Sequence, residues 1–171
     1  MIRHIVKYGD PVLEKKAEAI REFGTAELEK LVADMFETMY AHKGVGLAAP
    51  QVAQSVRLTV IDTSAGEDET AKLVLINPEI IEKSGSQVGE EGCLSIPGFR
   101  EDVKRYMKVK IRAQNPKGET FEASGEDLLA RAMQHEIDHL NGVLFLSHLS
   151  MLKRDLIRRK IRKLVKAGEW N

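Results

Sequence analysis

Two histidines and a glutamate stand at a spacing that can bind a metal ion and activate water. They belong to the segment His135-Glu136-Ile137-Asp138-His139, whose surroundings have the apolar pattern of a helix. Residues four apart on a helix share one face about one turn apart, so both imidazoles can bind one cation. Glu136 flanks the pair, in the position of a general base that acts on a water molecule beside the metal. The pattern predicts metal-assisted hydrolysis.

Two histidines alone make an incomplete site, because a catalytic metal needs a third protein ligand and an open position for water. His148 does not fit the extended zincin pattern, which needs a histidine at position 145, where the chain has Phe145. The remaining soft donor is Cys93, the only cysteine, within Glu90–Pro97 (EEGCLSIP). An isolated cysteine is more commonly a buried hydrophobic residue. Because this one follows a glycine and stands beside polar residues, we predict that Cys93 is the third ligand.

A third segment, Gly44–Gln51 (GVGLAAPQ), joins the first long predicted helix to a strand. Its glycines allow close approach of the backbone to a ligand. Gln51 has two amide donors that can stabilise a developing oxyanion. Taken alone, a glycine-rich turn with a surface glutamine is the commoner interpretation. The segment lacks the Lys-Ser/Thr ending of a phosphate-binding loop.

The elements that must position these residues have the pattern of an α+β fold. Apolar spacing of three to four residues predicts long helices beginning near Thr25, Ser124 and Ser150, and Ser124 with Asp127 resembles a capping box. Mostly antiparallel strands are expected to pack around the metal-binding helix, with an N-terminal and a C-terminal helix beside them.

Two turns are predicted within the strand region. Asn77-Pro78 indicates a turn, and Ser84-Gly85-Ser86 indicates a hairpin between flanking apolar pairs.

Length and charge exclude several classes of protein. The 171 residues predict one domain, at roughly 100–200 residues per domain. The 26 basic residues balance the 26 acidic ones, which argues against a chain that coats nucleic acid as a whole. One cysteine allows no internal disulfide, and no stretch has the ~18 apolar residues of a membrane span, so we expect a cytoplasmic protein with no membrane or DNA partner.

Residues 150–167 nevertheless form a basic helix, with eight cations: Lys153, Arg154, Arg158, Arg159, Lys160, Arg162, Lys163 and Lys166.

In order along the chain, Gly44–Gln51 (GVGLAAPQ), Glu91–Ser95 (EGCLS) and Gln134–His139 (QHEIDH) resemble the three motifs of the peptide deformylases, in the bacterial type 1 form. The resemblance covers the whole chain, residues 1–171, as one catalytic domain. It implies removal of the N-formyl group from the formyl-methionine of newly made polypeptides, with release of formate. It also implies one divalent ion, with Fe2+ favoured and Zn2+, Ni2+ or Co2+ compatible with the same donors.

The resemblance assigns roles to individual residues. It makes Cys93, His135 and His139 the metal ligands and Glu136 the acid and base. Gln51 and the backbone N–H of Leu94 become the oxyanion site.

The substrate peptide is expected to lie as an added strand along Val45, Gly46 and Gly92, because family members bind it so. Arg100 stands where relatives often have a substrate-contacting arginine. From helix geometry, Leu128, Arg131 and Ala132 lie one and two turns before His135, so we expect them to line the methionine pocket. Asp138 is either a residue that orients a ligand histidine or a surface carboxylate.

Formyl-methionyl nascent peptides are the expected partners, and docking of the basic helix on the ribosome is a further hypothesis. Two alternatives remain open from the residues. One is an HExxH metallopeptidase, which predicts cleavage independent of a formyl group. The other is an RNA-binding protein with a structural metal, which predicts four protein ligands.

Overall fold

The computed structural model describes every residue from Met1 to Asn171. The three α-helices are Ala26–Ala41 (α1), Asp127–Leu140 (α2) and Met151–Lys166 (α3). The seven strands are Gly46–Ala48 (β1), Leu58–Ile61 (β2), Leu73–Ser84 (β3), Gln87–Cys93 (β4), Ile96–Arg105 (β5), Lys108–Gln114 (β6) and Thr120–Glu126 (β7). Four short 3-10 helices are Pro11–Glu14, Ala49–Val52, Glu69–Ala71 and Phe145–His148. The predicted α+β class is confirmed.

All strand pairs are antiparallel, in a five-stranded sheet of order β1-β2-β3-β6-β7 and a two-stranded sheet of β4 and β5. The apolar strand β2 is buried on both faces. Leu58 and Val60 pack in the same core cluster as Met39 of α1, whereas Ile61 packs with Met133 of α2. Helices α1 and α2 therefore cover opposite faces of the sheet at β2, because successive side chains of a strand point to opposite faces.

Helix α2 also bonds to the second sheet. The side-chain amide of Gln134 forms two hydrogen bonds with the backbone of Tyr106, the residue that follows β5. It accepts from the Tyr106 N–H and donates to the Tyr106 carbonyl, each at 2.9 Å. Gln134 is buried. These two bonds fix α2 against the β4-β5 hairpin, so the face that carries the histidines lies beside Cys93 at the end of β4.

The start of α2 differs from its predicted capping box. Ser124 belongs to β7, which pairs with β6 as far as Lys108 opposite Glu126. The helix begins at Asp127, whose backbone N–H donates to the carbonyl of Met107 at 3.1 Å. The strand pairing outweighs the local capping signal.

Both predicted turns in the strand region need correction. Asn77-Pro78 lies inside β3 at an irregularity in its pairing with β6, and Asn77 has a positive φ of 50°. The chain does reverse near Gly85, but the strands on either side do not form a hairpin, since β3 pairs with β6 and β4 pairs with β5.

The C-terminal helix α3 begins as predicted, with the Ser150 side chain accepting from the backbone N–H of Lys153. Of its apolar stripe, Ile157 and Ile161 are buried, while Leu152 and Leu156 are exposed beside the basic residues. None of the three helices has both the length and the apolar character needed to cross a membrane.

Candidate metal centre and active site

The three predicted ligands converge on one point. The Nε2 atoms of His135 and His139 lie 3.2 Å apart, and Cys93 Sγ lies 3.4 Å from His139 Nε2. Tetrahedral coordination with bonds of 2.0–2.1 Å to nitrogen and 2.3 Å to sulfur separates ligand atoms by about 3.3–3.6 Å. The donor set and its spacing therefore fit one divalent ion.

Local structure explains why the ligands meet. His135 and His139 occupy adjacent turns of α2, and burial together with nearby positive charge lowers the pKa of His139, which favours the neutral, metal-binding imidazole. Cys93 ends β4, where the pairing with β5 shifts between Gly92 and Cys93. This irregularity re-aims the end of the strand toward α2.

The orientation of His135 is set by Glu91. His135 Nδ1 lies 2.8 Å from Glu91 Oε1, which leaves Nε2 to face the cluster. Arg105 binds the same carboxylate with two donors, Nε at 2.8 Å and Nη2 at 2.9 Å. Arg131 Nη1 also donates to it. Burial alone raises the pKa of Glu91, but its bonds with Arg105 and His135 outweigh this effect and hold the pKa below its usual range.

Asp138 lies in the outer part of this network. Its Oδ2 accepts from Arg105 Nη1 at 2.7 Å, and His148 Nε2 lies 2.8 Å from the same oxygen. Asp138 is neither a direct partner of a ligand histidine nor an isolated surface carboxylate. It bonds to Arg105, and Arg105 in turn bonds to Glu91. The residue that bonds the ligand His135 directly is Glu91.

Arg131 lines the cavity, but its guanidinium is not available to substrate. Besides Glu91, it donates to the carbonyl of Val103 at 3.0 Å and to the side chain of Gln87 at 3.2 Å. The side chain of Arg131 is only 8% exposed. The charged end stabilises the fold, so only the aliphatic stem can contribute an apolar wall.

Glu136 points into the site from the adjoining position on α2. It is buried, and its Oε1 accepts no hydrogen bond from the protein. Burial raises its pKa to about 7, which suits a group that must take and return a proton near neutral pH. A Cβ atom at Gly46 would lie 2.7 Å from Glu136 Oε2, so only glycine allows this approach.

The amide of Gln51 has a fixed orientation. Its Oε1 accepts from the backbone N–H of Ala48 at 2.9 Å. Its Nε2 then donates to Ser95 Oγ at 3.1 Å and lies 3.5 Å from Cys93 Sγ. The donor end is therefore directed at the metal cluster, and the interpretation of Gln51 as a surface residue is wrong, since it is buried.

A cavity of about 740 Å³ opens beside the cluster. Every predicted site residue lines it except His139, which lies behind the others: the lining includes Val45, Gly46, Gln51, Gly92, Cys93, Leu94, Arg100, Leu128, Arg131, Ala132, His135 and Glu136. Both β1 and β4 contribute to its walls, and each pairs with only one strand. Two strands that each have an unpaired edge therefore border a space large enough for a peptide end.

Comparison with known proteins identifies the family. The sequence model described as Polypeptide deformylase matches residues 2–155. The chain belongs to this family. A curated peptide deformylase of Acidobacterium capsulatum is 62% identical over 170 residues, covering 99% of both chains. One of Desulfotalea psychrophila is 51% identical over 163 residues, covering 95% of this chain and 96% of its own.

Solved deformylase structures share the fold. The crystal structure of a peptide deformylase from Legionella pneumophila superposes with a TM-score of 0.91 at 45% identity, covering 100% of this chain and 99% of its own. Family membership makes this chain a metal-dependent hydrolase. It favours the deformylase prediction over both the metallopeptidase and the RNA-binding alternative.

The roles of Glu91 and Arg105 were not predicted from the sequence. A signal for Arg105 exists, because the alternation of a strand places it on the same face as the buried Val103. Its partner Glu91 lies 14 residues away along the chain. No local pattern shows that pairing.

Replacing Glu91 by Gln tests the network around His135. The variant leaves two buried arginines without their shared carboxylate, so we expect a loss of about 3–5 kcal/mol in the free energy of unfolding. Metal affinity should fall by about 10–100-fold, because a neutral amide oxygen orients and polarises His135 less strongly than the carboxylate does. Chemical denaturation and competition with a metal chelator measure the two effects.

The matched control is Glu90→Gln, one residue away. Glu90 is exposed and pairs only with exposed Arg100, so its loss should change stability by less than about 1 kcal/mol. Equal metal affinity in the wild type and Glu91→Gln would contradict the orienting role.

Proposed function

We propose that the deformylase activity of this chain, removal of the N-formyl group from newly made polypeptides, takes place at Cys93, His135 and His139. The observation that supports this most is the convergence of one sulfur and two imidazole nitrogens beside Glu136. The site joins a metal-binding donor set to a buried carboxylate whose pKa suits proton transfer.

The metal that we propose is ferrous iron. A thiolate and two imidazoles suit iron, zinc, cobalt and nickel, and the resemblance to bacterial deformylases favours iron. When bound, the ion supplies Lewis acidity for the formyl carbonyl and lowers the pKa of water.

Glu136 is proposed to move the proton. Its carboxylate accepts a proton from the attacking water and returns it to the amine nitrogen as the bond to the formyl carbon breaks. Water supplies one oxygen of the formate, the formyl carbonyl supplies the other, and the peptide leaves with a free α-amine. The absence of a side chain at Gly46 leaves the space that the Glu136 carboxylate occupies beside the cluster.

Gln51 and the backbone N–H of Leu94 are proposed to stabilise the oxyanion. The bond that Gln51 accepts from Ala48 and the bond that it donates to Ser95 hold its amide in place before substrate arrives. Such a preorganised donor typically contributes about 3 kcal/mol to the stability of the transition state.

The peptide is proposed to bind between the two strand edges. Val45 and Gly46 belong to the β1 side, and Gly92 belongs to β4. The Val45 carbonyl accepts from the backbone N–H of Asp62 at 2.8 Å, which fixes this segment against β2. Main-chain pairing of this kind accepts many side chains, as an enzyme for nascent chains requires.

The methionine side chain is proposed to contact Leu128, Ala132 and the stem of Arg131. Leu128 is an exposed apolar residue at the cavity, 50% accessible, so a ligand can cover it. Arg100 lies at the opening and pairs with Glu90 at 2.6 Å, from where it can contact the downstream peptide.

Replacing Glu136 by Gln tests the catalytic proposal. Formate release from a formyl-methionyl tripeptide should fall by about 10²–10⁴-fold in kcat, because proton transfer is lost. The amount of iron bound after anaerobic purification should stay at the wild-type level.

Cys93→Ala is the matched comparison, and it should lose the metal while remaining folded. The same peptide without its formyl group controls for general peptidase activity. Cleavage of this peptide by wild-type enzyme loaded with Fe2+ or Ni2+, without formate release from the formylated one, would overturn the proposal.

We also propose that residues 1–171 act as one catalytic domain in the cytoplasm and that α3 docks on the ribosome. Its cations are mostly exposed on the helix surface, where they can contact phosphates. The exposed Leu152 and Leu156 add apolar surface next to them.

A double substitution, Arg159→Glu with Lys163→Glu, tests ribosome docking without removing the buried Ile157 and Ile161. Binding in co-sedimentation should weaken, and the slope of log affinity against log salt should become shallower by about one to two. Lys83→Glu with Lys117→Glu is the charge-matched control. Equal co-sedimentation of the two double variants would contradict docking through α3.

A further inference from the structure

The opening of the active-site cavity has an excess of positive charge. Lys7 and Lys43 both line it, and neither forms a salt bridge with a carboxylate. The two arginines in the same wall are different, because Arg131 is paired with Glu91 and Arg100 with Glu90. The two lysines are therefore the charges of this opening that remain without a partner.

No acidic residue of the cavity offsets these lysines. Glu91 is bonded to two arginines and one histidine, and Glu90 is paired with Arg100. Glu136 is buried beside the ligand His135 on α2. An anionic group on a bound peptide would meet uncompensated positive charge.

Lys43 stands at the entrance of the proposed peptide path. It lies after the end of α1, two residues before Val45, and its side chain is exposed. Its φ of 58° places it in the left-handed region, so the backbone turns sharply there. Lys43 lines the same cavity as Gly44, Val45 and Gly46, along which the peptide would run.

Lys7 approaches the cavity from the N-terminal segment. Its neighbours bond to the site, since Val6 donates to the carbonyl of Gln51 at 2.9 Å and Tyr8 donates to that of Ser95 at 2.8 Å. Lys7 Nζ donates to the carbonyl of Ile5 at 2.8 Å and is half-buried, and this burial lowers its pKa. A partly desolvated ammonium gains more from an anionic partner than a fully exposed one does.

We propose that Lys7 and Lys43 give this deformylase a preference for formylated chains with an acidic side chain within the first few residues after methionine. The inference rests on the proposed function, because the peptide must enter this cavity. An extended peptide advances about 3.3 Å per residue, so the second to fourth residues lie within about 10 Å of the methionine. That distance is close to the range of electrostatic interactions at 0.1 M salt.

A peptide series tests the preference. The parent is formyl-Met-Ala-Ala-Ala-amide, and Glu, Gln or Lys replaces alanine at position 2, 3 or 4. At one position or more, kcat/KM for the Glu peptide should exceed that for the Gln peptide by about two- to fivefold, and the Lys peptide should have a lower value than the Gln peptide. The Glu-to-Gln ratio of kcat/KM should fall toward one at about 1 M salt, where the Debye length is about 3 Å.

Variants of the chain locate the origin of the preference. Lys43→Glu should lower the Glu-to-Lys ratio of kcat/KM below the wild-type value, and Lys7→Met should lower it by a smaller amount. Lys117→Glu makes the same charge change as Lys43→Glu in the exposed turn between β6 and β7, outside the cavity, and should keep the wild-type ratio. Each ratio is measured within one variant, so differences in metal loading cancel.

The outcomes separate the two proposals. Hydrolysis of every formylated peptide with equal kcat/KM for Glu and Lys overturns the preference and leaves the proposed function intact. If Lys43→Glu and Lys7→Met both keep the wild-type preference for acidic peptides, the proposal is also overturned, because the preference then does not come from these two lysines. No formate release from any formylated peptide, by metal-loaded wild type, overturns both.

Discussion

The buried carboxylate of Glu91 is the interaction on which the site depends. It belongs to β4, yet it bonds to His135 and Arg131 of α2 and to Arg105 of β5. One anion surrounded by two guanidinium groups and an imidazole can remain ionised in a buried position, whereas an unpaired charge could not. This contact ties the hairpin to the helix, and so it sets the distance between Cys93 and the two histidines.

The catalytic arrangement follows from that fixed distance. Cys93 lies two residues beyond Glu91, so the bond that orients His135 also anchors the strand that supplies the sulfur. Gly46 completes the arrangement from the first sheet, since the absence of a side chain lets Glu136 approach the edge of β1. Three elements that are distant in sequence thus meet around one ion site with a strand edge on either side.

Local periodicity predicted the parts of the site that are local in sequence. His135, Glu136 and His139 lie within two turns of one helix, so their spacing is sufficient to place them together. Glu91 and Arg131 are 40 residues apart, and only the packing of α2 on the hairpin brings them together. The same reason explains the error at Ser84–Ser86: turn residues show that the chain reverses, but not that β3 pairs with β6 rather than with β4.

The central claim is that one thiolate and two imidazoles hold a single ion in an orientation set by Glu91. X-ray absorption spectroscopy of the iron-loaded protein, prepared without oxygen, measures this coordination directly. We predict one sulfur neighbour at about 2.3 Å and two imidazole nitrogens at about 2.0–2.1 Å, with the sulfur absent in Cys93→Ser. A wild-type spectrum with only nitrogen and oxygen neighbours would contradict it.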